Sequence, residues 1–322
     1  MNGSVLAGWA AASVFLLPAL ASAQTKAPTA GTWIMKAHMP EPRGEVAVAV
    51  LDGRLYALAG AARGRDATPL AEAYNPATDT WRTLAPIPQG LSHAGATSLD
   101  GKVYVVGGFT ANVHAGAVDS VFEYDPARNA WRTLAALSSP RGSVGVVALD
   151  GKVHAIGGRG LDKVTVRTHE VYDPASDKWS PAAPLPVARD HLVAIALDGK
   201  IHVIGGRKDN NTTDNTAFHD VYDPRTNAWT EAAPMPTARS AMAAVLYKGM
   251  ILVDGGECDH GHTFVQNEAY DPKADRWVEL QAIVGRHGFG AGALGDLAYF
   301  VGGNKGCGGA DTTDELLGFH LP

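Results

Sequence analysis

The sequence predicts an all-β ring, a β-propeller of six four-stranded blades. Three observations carry this expectation. Tryptophans stand at Trp33, Trp81, Trp131, Trp179, Trp229 and Trp277, alternately 48 and 50 residues apart. A glycine doublet or its variant ends at Gly60, Gly108, Gly158, Gly206, Gly256 and Gly303. Tyrosine followed by Asp-Pro or Asn-Pro recurs at Tyr74, Tyr124, Tyr172, Tyr222 and Tyr270. A repeat of ~50 residues carrying four short strands is the signature of a propeller blade. Composition agrees, because 37 glycines and only 19% charged residues suit tight turns and short strands better than surface helices.

Each blade parses into strands a to d. Strand a follows Pro-Arg and runs apolar to a turn, Asp52-Gly53, Asp100-Gly101, Asp150-Gly151 or Asp198-Gly199. Asp-Gly supplies the backbone that a two-residue hairpin needs. Strand b ends at the glycine doublet, strand c carries the tyrosine and strand d the tryptophan. The doublet-to-Trp distance is 21 or 23 residues, so a strand d after Gly303 would need residue 324, and the chain stops at Pro322. Gly31-Thr32-Trp33-Ile34-Met35 supplies a spare strand d. The beginning of the mature chain is therefore expected to complete the last blade, removing both open sheet edges.

Residues 1–23 carry no charged side chain, an apolar stretch at Val14–Leu20, and end Ala21-Ser22-Ala23. They read as a secretory signal cleaved before Gln24, too short for a membrane span. The expected product is one exported, periplasmic or extracellular domain over 24–322. With 27 Lys+Arg against 33 Asp+Glu, no clustered basic face for nucleic acid is expected. Cys258 and Cys307 lie in equivalent loops of neighbouring blades and, in an exported chain, read as a disulfide, with free thiols or a Cys/His metal site with His260 and His262 as the alternative.

Glycine doublet, tyrosine and tryptophan recurring in phase resemble kelch repeats, over about residues 32–322. The departures are Ala59-Gly60 in blade one and Leu252 at the strand-b aromatic of blade five. The resemblance implies a ligand pocket at the channel mouth. It also admits protein-binding modules, copper-radical oxidases and bacterial sugar mutarotases such as the sialic-acid type. All nine tyrosines are in repeat positions or, for Tyr247, beside the a–b turn, which leaves none spare for the oxidase chemistry.

Function is expected on the face bearing the b–c loops, which differ in every blade, whereas the a–b and c–d turns are short and regular. Arg43, Arg141, Arg189, Arg239 and Arg286 open strand a. Each has an acid two residues before the strand-c Tyr position: Glu72, Glu170, Asp220, Glu268 and Glu315. Blade two replaces both partners, with Leu91 and Phe122. Joint replacement reads as a buried ion pair, with an anion-binding arginine ring as the alternative.

The next two positions face the channel mouth and do not follow the repeat. They are Gly44-Glu45, Ser92-His93, Gly142-Ser143, Asp190-His191, Ser240-Ala241 and His287-Gly288. Glu45, Ser92, His93, Ser143, Asp190, His191, Ser240 and His287 are thus the candidate ligand-binding residues. His93, His191 and His287, from alternate blades, are the imidazoles a metal would need. A wet polar pocket without metal or cofactor is the favoured expectation. Glu45 with His93 on the next blade is a candidate acid–base pair. Asp254 stands where other blades carry Leu58, Val106, Ile156, Ile204 or Val301 and needs a partner, expected in loop groups such as His260 or His262, with a role as a site residue as the alternative. His154, His202, His169 and His219 are expected to be packed repeat residues.

Two functions remain. One is an exported binding module for a protein or glycan on the b–c face. The other is a periplasmic carbohydrate isomerase or mutarotase, with Glu45 or Asp190 as base and an arginine holding a sugar carboxylate.

Overall fold

The computed structural model describes Met1 and residues 30–62, 66–111, 114–209, 211–258 and 260–322. The leader expected over 1–23 lies, apart from Met1, outside the described residues. Six four-stranded antiparallel sheets form a six-bladed propeller. In the first blade, strands a to d are Ala47–Leu51, Arg54–Leu58, Ala71–Asn75 and Thr80–Thr83. Four further blades repeat this order. In the sixth, Gly290–Leu294, Leu297–Val301 and Leu316–His320 are joined by Thr32–Lys36 as the outer strand. Trp33 pairs with Phe319, and Met35 with Leu317. The indole Nε1 of Trp33 donates to Gln281 O of blade five at 3.0 Å.

The repeat residues hold neighbouring blades together. Each strand-d indole donates to a carbonyl of the preceding blade, as Trp131 does to Ala85 O and Trp179 to Ala135 O at 2.8 and 2.9 Å. Five residues after each tyrosine stands Asp79, Asn129, Asp177, Asn227 or Asp275, all with positive φ. Its side chain accepts from the tyrosine hydroxyl, 2.6 Å for Tyr74 to Asp79. It also accepts a backbone N–H from the neighbouring blade, 2.9 Å from Ala37 to Asp79. Asp and Asn suit this position because they tolerate the left-handed backbone and carry an acceptor.

The glycine doublet serves the same adhesion. Gly158 N donates to Arg189 O at 3.0 Å, while a Cβ on Gly157 would sit 2.7 Å from that carbonyl oxygen. A side chain there would push the blades apart.

All five repeat arginines are fully buried. Arg43, Arg141, Arg189 and Arg286 meet Glu72, Glu170, Asp220 and Glu315 at 2.8, 2.6, 2.7 and 2.8 Å, and Arg239 bonds Glu268. The guanidinium passes over strand b, where Arg43 also donates to Ala57 O at 3.3 Å. The alternative of an open anion-binding ring is thereby corrected: the guanidinium groups are consumed inside the blades. In blade two, Leu91 and Phe122 fill the same space within one apolar cluster. Regular pairing of strand a begins at Ala47, four residues after Arg43, because the chain turns left-handed at Glu45.

The histidines in repeat positions form two buried relays. His154 Nδ1 lies 3.0 Å from His169 Nε2, and His202 Nδ1 lies 2.8 Å from His219 Nε2. Burial holds them at about 4, 3, 4 and 4 for His154, His169, His202 and His219. They are packed neutral, as expected.

The ion pairs yield a prediction. Arg141→Met alone should destabilise by about 3–5 kcal/mol, since it strands Glu170. Arg141→Met with Glu170→Leu should recover most of that loss, because blade two already folds with an apolar pair. Denaturant unfolding of the three chains decides it. A double variant as unstable as the single would show that the charge pair itself is required.

Candidate functional site

The mouth of the channel is built by a ring of left-handed residues. Glu45, His93, Ser143, His191, Ala241 and Gly288 are equivalent across the six blades, with φ between 52° and 61°. Each non-glycine member costs about 1–2 kcal/mol of backbone strain. Hydrogen bonds around the axis offset it. His93 N donates to Glu45 O, Ser143 N to His93 O and His191 N to Ser143 O, at 3.2, 2.9 and 3.2 Å. Ala241 N continues to His191 O and Gly288 N to Ala241 O, at 3.0 and 2.9 Å. Val46 N closes the circuit on Gly288 O at 3.3 Å. The left-handed backbone turns these six residues toward the axis, where they line a cavity of about 120 Å³. Below it the channel widens to about 370 Å³ between the a strands, lined mostly by Ala, Val and Gly.

The first member of each mouth pair lies behind the ring. Gly44, Ser92, Asp190 and His287 form backbone bridges to Ala61, Phe109, Arg207 and Asn304, each the first residue after the glycine doublet. Gly142 bridges Arg159 in the same way, and Ser240 O accepts from Glu257 N at 2.9 Å. Of the eight candidates, Glu45, His93, Ser143 and His191 therefore reach the cavity, and Ser92, Asp190, Ser240 and His287 support them.

On this scaffold the side chains form one polar network. The Glu45 carboxylate spans two histidines, 3.2 Å from His93 Nε2 and 3.5 Å from His287 Nδ1. It leans over blade six, where a Cβ on Gly288 would collide with it. His287 Nε2 lies 3.1 Å from Gly306 O. Burial would lower His287, but Glu45 outweighs it and raises the imidazole above its ordinary value. Asp190 Oδ1 lies 2.5 Å from His191 Nδ1. His191 Nε2 then faces Ser143 Oγ at 3.2 Å, Arg207 Nη2 at 3.2 Å and His114 Nε2 at 3.0 Å. Arg207 bonds Glu257. Burial opposes the charge on Glu257, yet Arg207 holds it down to about 2. Burial pushes His93 and His191 well below the usual imidazole range, and His114 to about 2. These three imidazoles are neutral.

Ser143, His191 and Asp190 stand in the hydrogen-bond order of a serine triad. The ring N–H groups, however, already donate to neighbouring carbonyls, so they offer no oxyanion hole to an attacked carbonyl.

His114, Arg207 and Glu257 were not singled out in the sequence. Arg207 and Glu257 follow the doublet directly, and that position is the signal that finds them. His114 lies in the middle of a loop with no repeat partner. The histidine trio expected at the axis also changes. His114 takes the place of His287, which is held by Glu45 and Gly306.

Cys258 and Cys307 form a disulfide with Cα atoms 5.5 Å apart, tying the b–c loop of blade five to that of blade six. Asp254 is fully buried, and neither carboxylate oxygen has a hydrogen-bond partner. The expected bond to His260 or His262 is absent, because the side chain points into the blade, across from Ala243 and Asn267. Burial raises its pKa well above the usual carboxylate value despite Arg239 nearby.

Asp254→Val, the residue of blades two and six, should therefore stabilise the chain by about 1–3 kcal/mol near neutral pH. The raised native pKa means the folded state keeps a proton that the unfolded state loses above about pH 4. The Asp254 contribution thus falls as pH rises, and the gap between variant and wild type should widen from pH 4 to pH 7. A gap that stays constant or narrows over that range would refute a buried, protonated Asp254.

The kelch motif is matched at residues 42–88, 90–138, 140–186 and 188–236, more than half of the chain. No curated protein matches the chain. Among solved structures, one titled "Structure of YjhT" superposes with a TM-score of 0.73 at 18% sequence identity. It covers 87% of this chain and 95% of that one, a likeness of fold. With four consecutive motif matches and six blades of the same build, the chain belongs to the kelch-repeat family.

Proposed function

We propose that the chain is an exported kelch propeller that binds a macromolecule, protein or glycan, on its b–c face. One observation carries this reading. Leaving Met1 aside, the large exposed apolar residues among those described are Ile34, Met35, Leu161, Val164, Phe218, Leu246, Val265 and Val284. Leu161, Val164, Phe218 and Val265 lie in b–c loops, and Val284 lies in a d–a connection, which opens on the same face. Apolar side chains held in water on one face favour a partner surface. The part of the axial cavity that the mouth residues line, about 120 Å³, falls below the roughly 300 Å³ at which small-ligand pockets begin, and the wider channel under it is lined mostly by Ala, Val and Gly. Export is supported by the apolar leader and by the Cys258–Cys307 disulfide. Among the described residues no helix is long and apolar enough to cross a membrane.

A second reading keeps the mouth as a carbohydrate isomerase site. The Glu45 carboxylate between His93 and His287 favours it, since such a group can pass a proton. The repeat arginines do not serve it, because all are bonded to strand-c acids.

The test is binding of the disulfide-intact mature chain to a glycan array and to an arrayed set of exported proteins. Leu161→Asp with Val164→Asp, and separately Val265→Asp, should weaken the hits at least tenfold without moving the unfolding midpoint. Hits retained by both variants but lost in Glu45→Gln, together with catalysed anomer interchange by the wild type, would favour the second reading.

A further inference from the structure

We propose that His93, His114 and His191 form a three-histidine site for a first-row divalent transition metal, with zinc as its reference ion. The site would lie on the propeller axis at the b–c face. This goes beyond the binding reading and does not depend on it.

Three observations support the site. One ligand nitrogen from each imidazole lies within 4.8 Å of the other two. Ligand nitrogens 2.0–2.1 Å from a tetrahedral zinc stand about 3.3 Å apart. His114 Nε2 and His191 Nε2 are already 3.0 Å apart. The adjustment required is a side-chain rotation that brings the His93 nitrogen, now within 4.8 Å of the other two, to the same spacing.

The second observation is the orientation of the rings. Asp190 holds Nδ1 of His191, which leaves the Nε2 lone pair turned toward the other two imidazoles. A carboxylate behind a ligating histidine is the usual outer support of a metal site, fixing the tautomer and raising ligand basicity. His93 Nδ1 rests on Ser92 Oγ at 3.2 Å. His93 Nε2 is buried without a hydrogen bond, beside the Glu45 carboxylate. A buried nitrogen in that state is costly unless something fills the site.

The third is charge. Glu45, Asp190 and Glu257 surround the cluster, opposed by the guanidinium groups of Arg207 and Arg159. Three carboxylates against two guanidinium groups leave the surroundings net negative while His287 is neutral, which favours a cation. The donors are imidazoles without a thiolate, a set that suits zinc, copper or nickel. Three protein ligands would leave a coordination position open, since the ring continues with the small residues Ala241 and Gly288. Arg207 Nη2, 3.2 Å from His191 Nε2, occupies the direction a metal would take. Bound metal would shift that guanidinium fully onto Glu257.

The test uses the mature, disulfide-intact chain without a histidine tag, stripped with chelator and titrated with Zn²⁺ alone. One equivalent should survive desalting, and Co²⁺ in its place should give the visible absorption of a tetrahedral site. His93→Gln, His114→Gln and His191→Gln should each weaken binding at least a hundredfold. Asp190→Asn should weaken it tenfold to a hundredfold. His287→Gln should keep the full equivalent, which separates this trio from one built on His287. Unfolding midpoints in chelator establish that the variants are folded. Should a ring variant fail to fold, His114→Gln, in a loop outside the sheets, carries the test. No retained zinc in the folded wild type, or an unchanged equivalent in His114→Gln, overturns the proposal. Loss of zinc with macromolecular binding intact would sink this site alone.

Discussion

The pairing of Thr32–Lys36 with Leu316–His320 is the contact on which the axial geometry depends. It turns a row of blades into a closed ring and removes the two sheet edges that an open array would expose. Only a closed ring lets the hydrogen bond from Val46 N to Gly288 O complete the circuit around the mouth. That circuit holds six residues left-handed and turned toward one axis. Were the ring open, Glu45 and His287 would no longer face each other across the join between blades one and six.

The blades themselves are held by repeated small devices rather than by one large core. Each interface has its own apolar cluster and an indole bonded to the preceding blade, and each blade carries within it a buried arginine–carboxylate pair or its apolar substitute. The disulfide between the loops of blades five and six adds a covalent tie on the b–c face, beside the closing blade. A closed loop of this length contributes about 4 kcal/mol in the chain-entropy account. Rigidity of this kind lets single loop residues such as His114 be placed against residues two blades away.

The fold was legible in the sequence because its physics repeats. A tryptophan that must reach the preceding blade, or a glycine that must lie against an arginine carbonyl, returns every ~50 residues and announces itself. The same logic exposed the ring, since Glu45, His93, Ser143 and His191 break a pattern that surrounds them. It also resolved the arginines, because Leu91 and Phe122 change together. The rest of the site was hidden for the opposite reason. Arg207 and Glu257 stand at a position, the first after the doublet, that varies from blade to blade and so marks no departure, and His114 lies in a loop where no equivalent in another blade exists. Asp254 was visible as an anomaly, but its direction was not: the strand turns it inward, away from His260 and His262. Which histidine completes the axial trio is set by the path of a loop, and loop paths follow from the folded ring.

Hydrogen exchange of the protein, followed by mass spectrometry over residues 32–36 and 316–320, tests the closure most directly. The account predicts that both segments are protected and open together, at the rate of the other strands of blade six. Rapid exchange of 32–36 while 316–320 stays slow would contradict it.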